Sequence, residues 1–93
     1  MFVGVLTTEI LIPGSASLKD KRVVLNRIRD RVRKKYNVSV AEIDYNDKWQ
    51  RSLIAFAIVS SDKSFTDQMM QKIFRDLDNE MEFEIIKYQF DYR

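Results

Sequence analysis

The residues of this 93-residue chain that are best suited to chemistry are cations concentrated in one short segment. Residues 17–37 contain nine lysines and arginines and two aspartates, a charge of +7, whereas the remainder contains seven basic and twelve acidic residues, a charge of −5. The net charge of +2 therefore conceals an uneven distribution. Arginine favours bidentate contacts with phosphate, and each neutralised phosphate of a nucleic acid releases counterions. The segment predicts contact with RNA or a ribosomal particle.

Other interpretations of the basic segment stay open. An exposed helix can present its charge to solvent, neutralised by acidic groups elsewhere in the same protein, and a basic helix can also bind an acidic protein or a membrane lipid. An exposed helix usually mixes both signs, and this one does not, so RNA contact is preferred. The predicted RNA-binding residues are Lys19, Arg22, Arg27, Arg29, Arg31, Arg33, Lys34 and Lys35, together with Trp49 and Arg51.

Trp49 and Arg51 belong to a short polar connection between two predicted strands, and their role has two interpretations. An exposed indole at Trp49 can stack on a base, with Gln50 and Arg51 supplying polar contacts. The alternative, which is favoured because a single tryptophan in a short hairpin is commonly a packing residue, is that Trp49 packs beneath the hairpin while Arg51 pairs with Asp44 or Asp47. Two carboxylates without a third ligand are a weak metal signal, so no metal site is predicted.

The composition argues against catalysis. The chain has no histidine and no cysteine, which removes the commonest neutral-pH proton shuttle and the thiolate nucleophile. No glycine-rich nucleotide loop is present. Residues 12–17 contain no arginine, unlike the phosphate loop of acylphosphatases, which share this chain length and basicity. We therefore expect no enzyme activity, no catalytic residue and no cofactor.

The elements that must position these side chains follow the order β-α-β-β-α-β. Strands are predicted over residues 2–12, 38–45, 52–60 and 83–92, and helices over about 18–36 and 65–79. Ser17 and Asp20 form a variant capping box that begins the first helix. The predicted fold is α+β and ferredoxin-like, with a four-stranded antiparallel sheet in the order 4-1-3-2 and both helices on one face, as a single domain over residues 1–93.

The sheet face without helices is a second candidate for function. Apolar residues of the first and last strands are expected there, and an exposed apolar patch of that size is rarely left in water. The predicted homodimer interface through the sheet consists of Val3, Val5, Tyr88 and Phe90. The alternative function is accordingly a homo-oligomeric scaffold or a small-ligand module built on the open sheet face, with no nucleic-acid role.

Several segments together resemble a known family. The resemblance lies in residues 3–6 (VGVL), residues 12–14 (IPG) leading into 17–22 (SLKDKR), residues 37–42 (NVSVAE) and residues 49–51 (WQR). In this set the sequence resembles the YlxP-like family of small bacterial proteins of unknown function. The resemblance implies a ferredoxin-like fold. Genes of that family often lie beside translation and ribosome-maturation genes, which points toward RNA, but the resemblance brings no reaction and no catalytic residue.

The N-terminal residues and the apolar runs of the sequence bear on its location. The first fifteen residues lack the basic and apolar regions of a signal peptide, and the longest apolar run, residues 53–59, is about a third of a membrane span. We expect a cytoplasmic protein with no membrane partner.

Overall fold

The computed structural model describes residues 1–93 and contains the six predicted elements in the predicted order. They are β1 (Phe2–Leu11), α1 (Leu18–Lys35), β2 (Ser39–Asp44), β3 (Arg51–Ser60), α2 (Lys63–Asp78) and β4 (Glu84–Tyr92). The strands form one antiparallel sheet in the order β2-β3-β1-β4, which is the predicted order read from the opposite edge. The ferredoxin-like fold is confirmed.

The core lies between the helices and one face of the sheet. Alternate residues of the two central strands point toward the helices, because side chains of a strand alternate between faces. The contributors from β1 and β3 include Leu6, Ile10, Ile54, Phe56 and Ile58, and those from the helices include Ile28, Val32, Met70, Ile73 and Leu77.

Both helices begin at side-chain caps. The Ser17 hydroxyl accepts a hydrogen bond from the backbone N–H of Asp20, and the Asp20 carboxylate accepts one from the N–H of Ala16. This reciprocal arrangement satisfies donors that the first turn leaves unpaired. The second helix begins at Lys63 rather than at the predicted residue 65, because the carboxylate of Asp62 caps it by accepting from two backbone N–H groups.

The last strand contains a β-bulge that the sequence pattern does not show. Glu9 of β1 faces Lys87, but the next residue, Ile10, faces Ile85, so Ile86 is an extra residue in the ladder. Uninterrupted alternation along the predicted strand would place residues 83 and 85 on the opposite face from residues 88, 90 and 92, and the structure does not follow it. Both sets face the helices, since the bulge restores the same side after Ile86.

Tyr92 fixes the far end of β4 to α2. Its hydroxyl donates a hydrogen bond to the Asp67 carboxylate over 2.7 Å. Burial, together with this hydrogen bond to an anion, raises the pKa of Tyr92 to about 12.

Neither helix of the structure is long and apolar enough to cross a membrane.

Candidate nucleic-acid interface

The cations of α1 divide into two sets on opposite sides of the helix. Residues four apart lie on one side of an α-helix, so Arg27, Arg31 and Lys35 form a row that faces α2 and the segment after it. Each is paired with an acidic group of the same chain: Arg27 with Glu82, Arg31 with Glu80, and Lys35 with Asp76. We call this row the paired row. The three residues were predicted to contact RNA, but in the structure each of them forms an ion pair with a carboxylate of the same chain.

Ion pairing also shifts the titration of the paired row. A hydrogen bond to Glu82 raises the pKa of Arg27, and one to Asp76 raises the pKa of Lys35. Burial alone would raise the pKa of Asp76, but hydrogen bonds from Tyr36 and Lys35 outweigh it and hold that pKa below its ordinary value. The Tyr36 phenol donates to Asp76 over 2.7 Å. Arg27, Lys35 and Asp76 therefore stay charged around neutral pH, and the paired row, with its carboxylate partners, presents little net positive charge.

The other side of α1 carries cations that face solvent. Arg22, Arg29 and Arg33 lie within about 40° of one another around the helix axis, spaced by about 10 and 6 Å along it. Their only ion pair is a loose contact of 3.7 Å between Arg29 and the adjacent, exposed Asp30. Surface pairs of this kind contribute little. The exposed cations on this side and on the outward side of α1 are together called the basic face. They are Lys19, Arg22, Arg29, Arg33 and Lys34.

The basic face borders a shallow groove between α1 and the edge strand β2. Arg22, Asn26 and Arg29 line one wall of this groove, and Val40 and Ala41 are among the residues of the other. Because β2 is the outermost strand on that side, nothing else in the chain covers the groove. The unpaired cations therefore lie beside an accessible strand edge.

A buried lysine anchors the start of α1, and sequence analysis missed it. The side chain of Lys21 is 1% exposed, and its ammonium group donates to the Glu42 carboxylate over 2.9 Å and to the backbone carbonyl of Tyr45 over 2.7 Å. Glu42 also accepts from the hydroxyl of Ser52. The available signal was position: Lys21 lies within the apolar stripe of α1, where a cation must find buried partners.

The connection between β2 and β3 is held by a second polar network. The amide of Gln50 donates to the carbonyls of Pro13 and Ser15, which ties this connection to the one that precedes α1. Arg51 binds Glu9 through two hydrogen bonds and lies over the ring of Tyr45, 4.1 Å from its centroid. Hydrogen bonding to Glu9 raises the pKa of Arg51.

Trp49 differs from its neighbours in this connection. It is 56% exposed, so the interpretation that packed it beneath a hairpin is wrong. The expected pairing of Arg51 with Asp44 or Asp47 is also wrong, since Glu9 takes its guanidinium group. Trp49 lines a shallow pocket with Leu11 and Arg51, at the end of the molecule where Gln50 ties this connection to the segment that precedes α1.

The four residues predicted to form a dimer interface do not share a surface. Val3 and Val5 are half-buried on the face of the sheet that lacks helices. Tyr88 and Phe90 point to the helix side, where the ring of Phe74 lies 4.4 Å and 5.8 Å from theirs, centroid to centroid. The β-bulge at Ile86 accounts for the difference between the predicted and the observed face of Tyr88 and Phe90.

No group of three or more acidic side chains is arranged to hold a metal ion.

Comparison with known proteins shows which family the chain belongs to. Residues 3–90 match the family described as "Protein of unknown function (DUF503)". The chain belongs to this family. It is 42% identical over 82 residues to "Uncharacterized protein YlxP" of Bacillus subtilis (strain 168), an alignment that covers 88% of this chain and 89% of that protein. The resemblance to YlxP-like proteins is confirmed.

The segments that carry the DUF503 resemblance are occupied mainly by internal contacts. Lys21, Glu42, Gln50 and Arg51 all lie in those segments, and each is bound within the chain. These contacts join the start of α1 to β2 and to the connection between β2 and β3. Within the same segments, Lys19, Arg22 and Trp49 remain exposed.

Proposed function

We propose that this DUF503 protein binds RNA, at a ribosomal particle, through the basic face of α1. The observation that carries the proposal is the division of the helix: Lys21 and the three cations of the paired row are bound to carboxylates of other elements, whereas the five cations of the basic face are exposed and have no close ion pair. A cluster of unneutralised cations on one rod attracts a polyanion and gains affinity by counterion release. The ribosomal setting is supported by the gene neighbourhood that the family resemblance implies.

The proposed mechanism is binding alone, with no chemical step. Arg22, Arg29 and Arg33 supply bidentate contacts to phosphate oxygens, and Lys19 and Lys34 extend the positive surface around the helix. Phosphate contacts position a protein without reading sequence, so this surface predicts weak sequence preference. The exposed indole of Trp49 offers a stacking contact for an unpaired base near the N-terminal end of α1.

Two matched variants test the proposal, because the helix supplies its own control. One replaces Arg22, Arg29 and Arg33 by glutamine, and the other replaces Arg27, Arg31 and Lys35 by glutamine. Both remove three positive charges from α1 with substitutions that suit a helix. We expect the first to weaken binding to a mixed-sequence single-stranded RNA and to purified ribosomal subunits by about tenfold or more, and the second to weaken it far less.

The readouts are fluorescence anisotropy for the RNA and co-sedimentation for the subunits, both at moderate salt. Equal losses in the two variants would show that only net charge matters, and the basic face would have no special role. Unchanged binding of the first variant, with circular dichroism showing a folded protein, would reject the proposal. Binding to acidic proteins but not to RNA would assign the same surface to a different partner.

A further inference from the structure

The edge strand β4 is the longest unpaired strand edge of the molecule. It runs over nine residues without proline, whereas the other edge strand, β2, has six residues and lies beside the basic face. Three large side chains of β4 remain exposed: Ile86 at 43%, Tyr88 at 56% and Tyr92 at 40%. A long edge with exposed apolar side chains is a template for pairing with another strand.

The backbone of β4 determines which residues can bond outward. Val3 and Arg93 exchange both of their backbone hydrogen bonds, so the N–H and C=O groups of Arg93 point toward β1. These groups alternate along an antiparallel strand. Lys87, Gln89 and Asp91 therefore also direct their backbone groups to β1, while those of Tyr88 and Phe90 point away from the sheet.

We propose that β4 pairs antiparallel with β4 of a second copy, about a two-fold axis at Gln89, to form a continuous eight-stranded sheet. In this register Tyr88 lies opposite the partner's Phe90, and the outward N–H and C=O groups of both residues exchange hydrogen bonds. Lys87 lies opposite the partner's Asp91 in a non-hydrogen-bonded pair, where the side chains approach most closely.

Charge complementarity selects this register. Lys87 and Asp91 have no ion pair within the chain, and the two-fold axis gives both of them one. An axis at Phe90 would place Lys87 opposite the partner's Arg93, and an axis at Tyr88 would leave it opposite the partner's Gln89. Only the axis at Gln89 makes the strand complementary to itself. The aromatic group of Phe74, Tyr88 and Phe90 then continues across the axis.

The same charge argument disfavours pairing through β2. A second copy at that edge would bring two basic faces together, since Arg22 and Arg29 line the groove beside it. In the β4 dimer, by contrast, α1 lies toward the outer edge of each half, because β2 is the strand farthest from β4. Both basic faces stay exposed, so the proposal is independent of whether they bind RNA.

Cysteine crosslinking tests the register directly, because the chain contains no cysteine. Opposite residues of a non-hydrogen-bonded pair have Cα atoms about 4.5 Å apart, within the range of a disulfide. We expect Q89C to form a covalent dimer on mild oxidation. K87C and D91C should each crosslink poorly alone, since a residue four positions out of register is about 13 Å away, and should crosslink when mixed. V5C, on the open sheet face, is the control for face-to-face packing.

Sedimentation velocity provides the second test. We expect the unmodified protein to show a concentration-dependent dimer, K87E to weaken it by about tenfold, and the exchange K87E/D91K to restore it. Circular dichroism checks that each variant is folded. A monomer at high micromolar concentration would overturn the proposal. So would V5C crosslinking faster than Q89C, or a K87E/D91K variant no better than K87E alone.

Discussion

At the scale of single residues, the most informative side chain is a cation removed from water. Lys21 is almost fully buried, and its ammonium group donates to Glu42 and to the carbonyls of Tyr45 and Arg51. Burying an ammonium group is costly unless all its donors are satisfied. Three partners from two other parts of the chain meet that condition, so Lys21 fixes where α1 begins relative to β2 and the connection after it.

Replacing Lys21 by methionine should destabilise the protein severely. The substitution keeps the length of the side chain but leaves the Glu42 carboxylate without its cation and two carbonyls without a donor. Breaking a buried ion pair by removing one partner costs about 3–5 kcal/mol. Urea unfolding measures the change, with Lys34→Met as the control at an exposed position of the same helix. A loss below about 1 kcal/mol would show that water replaces the ammonium group.

At the scale of elements, close approach of β1 and α2 requires the absence of a side chain at Gly4. A Cβ atom at Gly4 would lie 2.6 Å from the methyl of Thr66 and 2.9 Å from Cγ of Met70. Both neighbours are completely buried and cannot move without disturbing the core.

Gly4→Ala should therefore destabilise the fold by about 1–3 kcal/mol through overpacking. Gly14→Ala is the matched control, because a Cβ there meets nothing within 4 Å and its φ is not positive, so it should be neutral or slightly stabilising. Denaturant unfolding of the two variants compares them. Equal stability of both would mean that α2 shifts away from β1 without cost.

The stability of the contact between α1 and α2 should depend on pH through the ionisation of Asp76. Hydrogen bonds from Tyr36 and Lys35 keep the pKa of Asp76 low in the folded state, even though burial opposes them. A group whose folded pKa is lowered stabilises the protein above its ordinary pKa, and this stabilisation is lost as the pH falls through the folded value.

The free energy of unfolding should consequently fall more steeply in the unmodified protein than in Asp76→Asn between about pH 5 and pH 3. Below the folded pKa the difference that depends on Asp76 ionisation should vanish. Urea unfolding at a series of pH values measures both curves. Parallel curves across this range would show that Asp76 does not ionise differently in the folded and unfolded states.

At the scale of the whole molecule, internal pairing limits how much positive charge is available to a partner. The segment that contains α1 carries nine lysines and arginines, yet Lys21 is buried and the paired row is neutralised by Asp76, Glu80 and Glu82. Five cations remain in the basic face. The interpretation as a helix neutralised by its own protein is therefore correct for one side of α1, and the other side keeps its charge.

This division predicts the salt dependence of RNA binding. With about 0.7 counterions released per single-stranded phosphate, five contacts give a slope of about −3.5 for log K against log salt concentration. Replacing Arg22, Arg29 and Arg33 by glutamine should reduce it to about −1.4. Anisotropy titrations over a range of salt measure the slope. A value near −6 in the unmodified protein would mean that the paired row exchanges its carboxylates for phosphates.

How far the sequence predicted the structure can be judged from particular residues. All six elements and the sheet order were predictable, because alternation in β1 and β3 and the apolar stripe of α1 each bury one face. The bulge at Ile86 was not, since both faces of β4 carry apolar side chains and one extra residue leaves no gap in that pattern. Trp49 was also misjudged, because the exposure of a single tryptophan depends on what surrounds it.

By itself, the sequence determined the fold class and the concentration of cations on one helix, since both follow from local periodicity and composition. Only the tertiary structure decided which of those cations are available. Arg27 and Arg31 meet acidic groups about fifty positions further along the chain, and Lys21 meets a carboxylate on a neighbouring strand. Ion pairs between distant residues depend on how elements pack in space, and no spacing within α1 encodes that geometry.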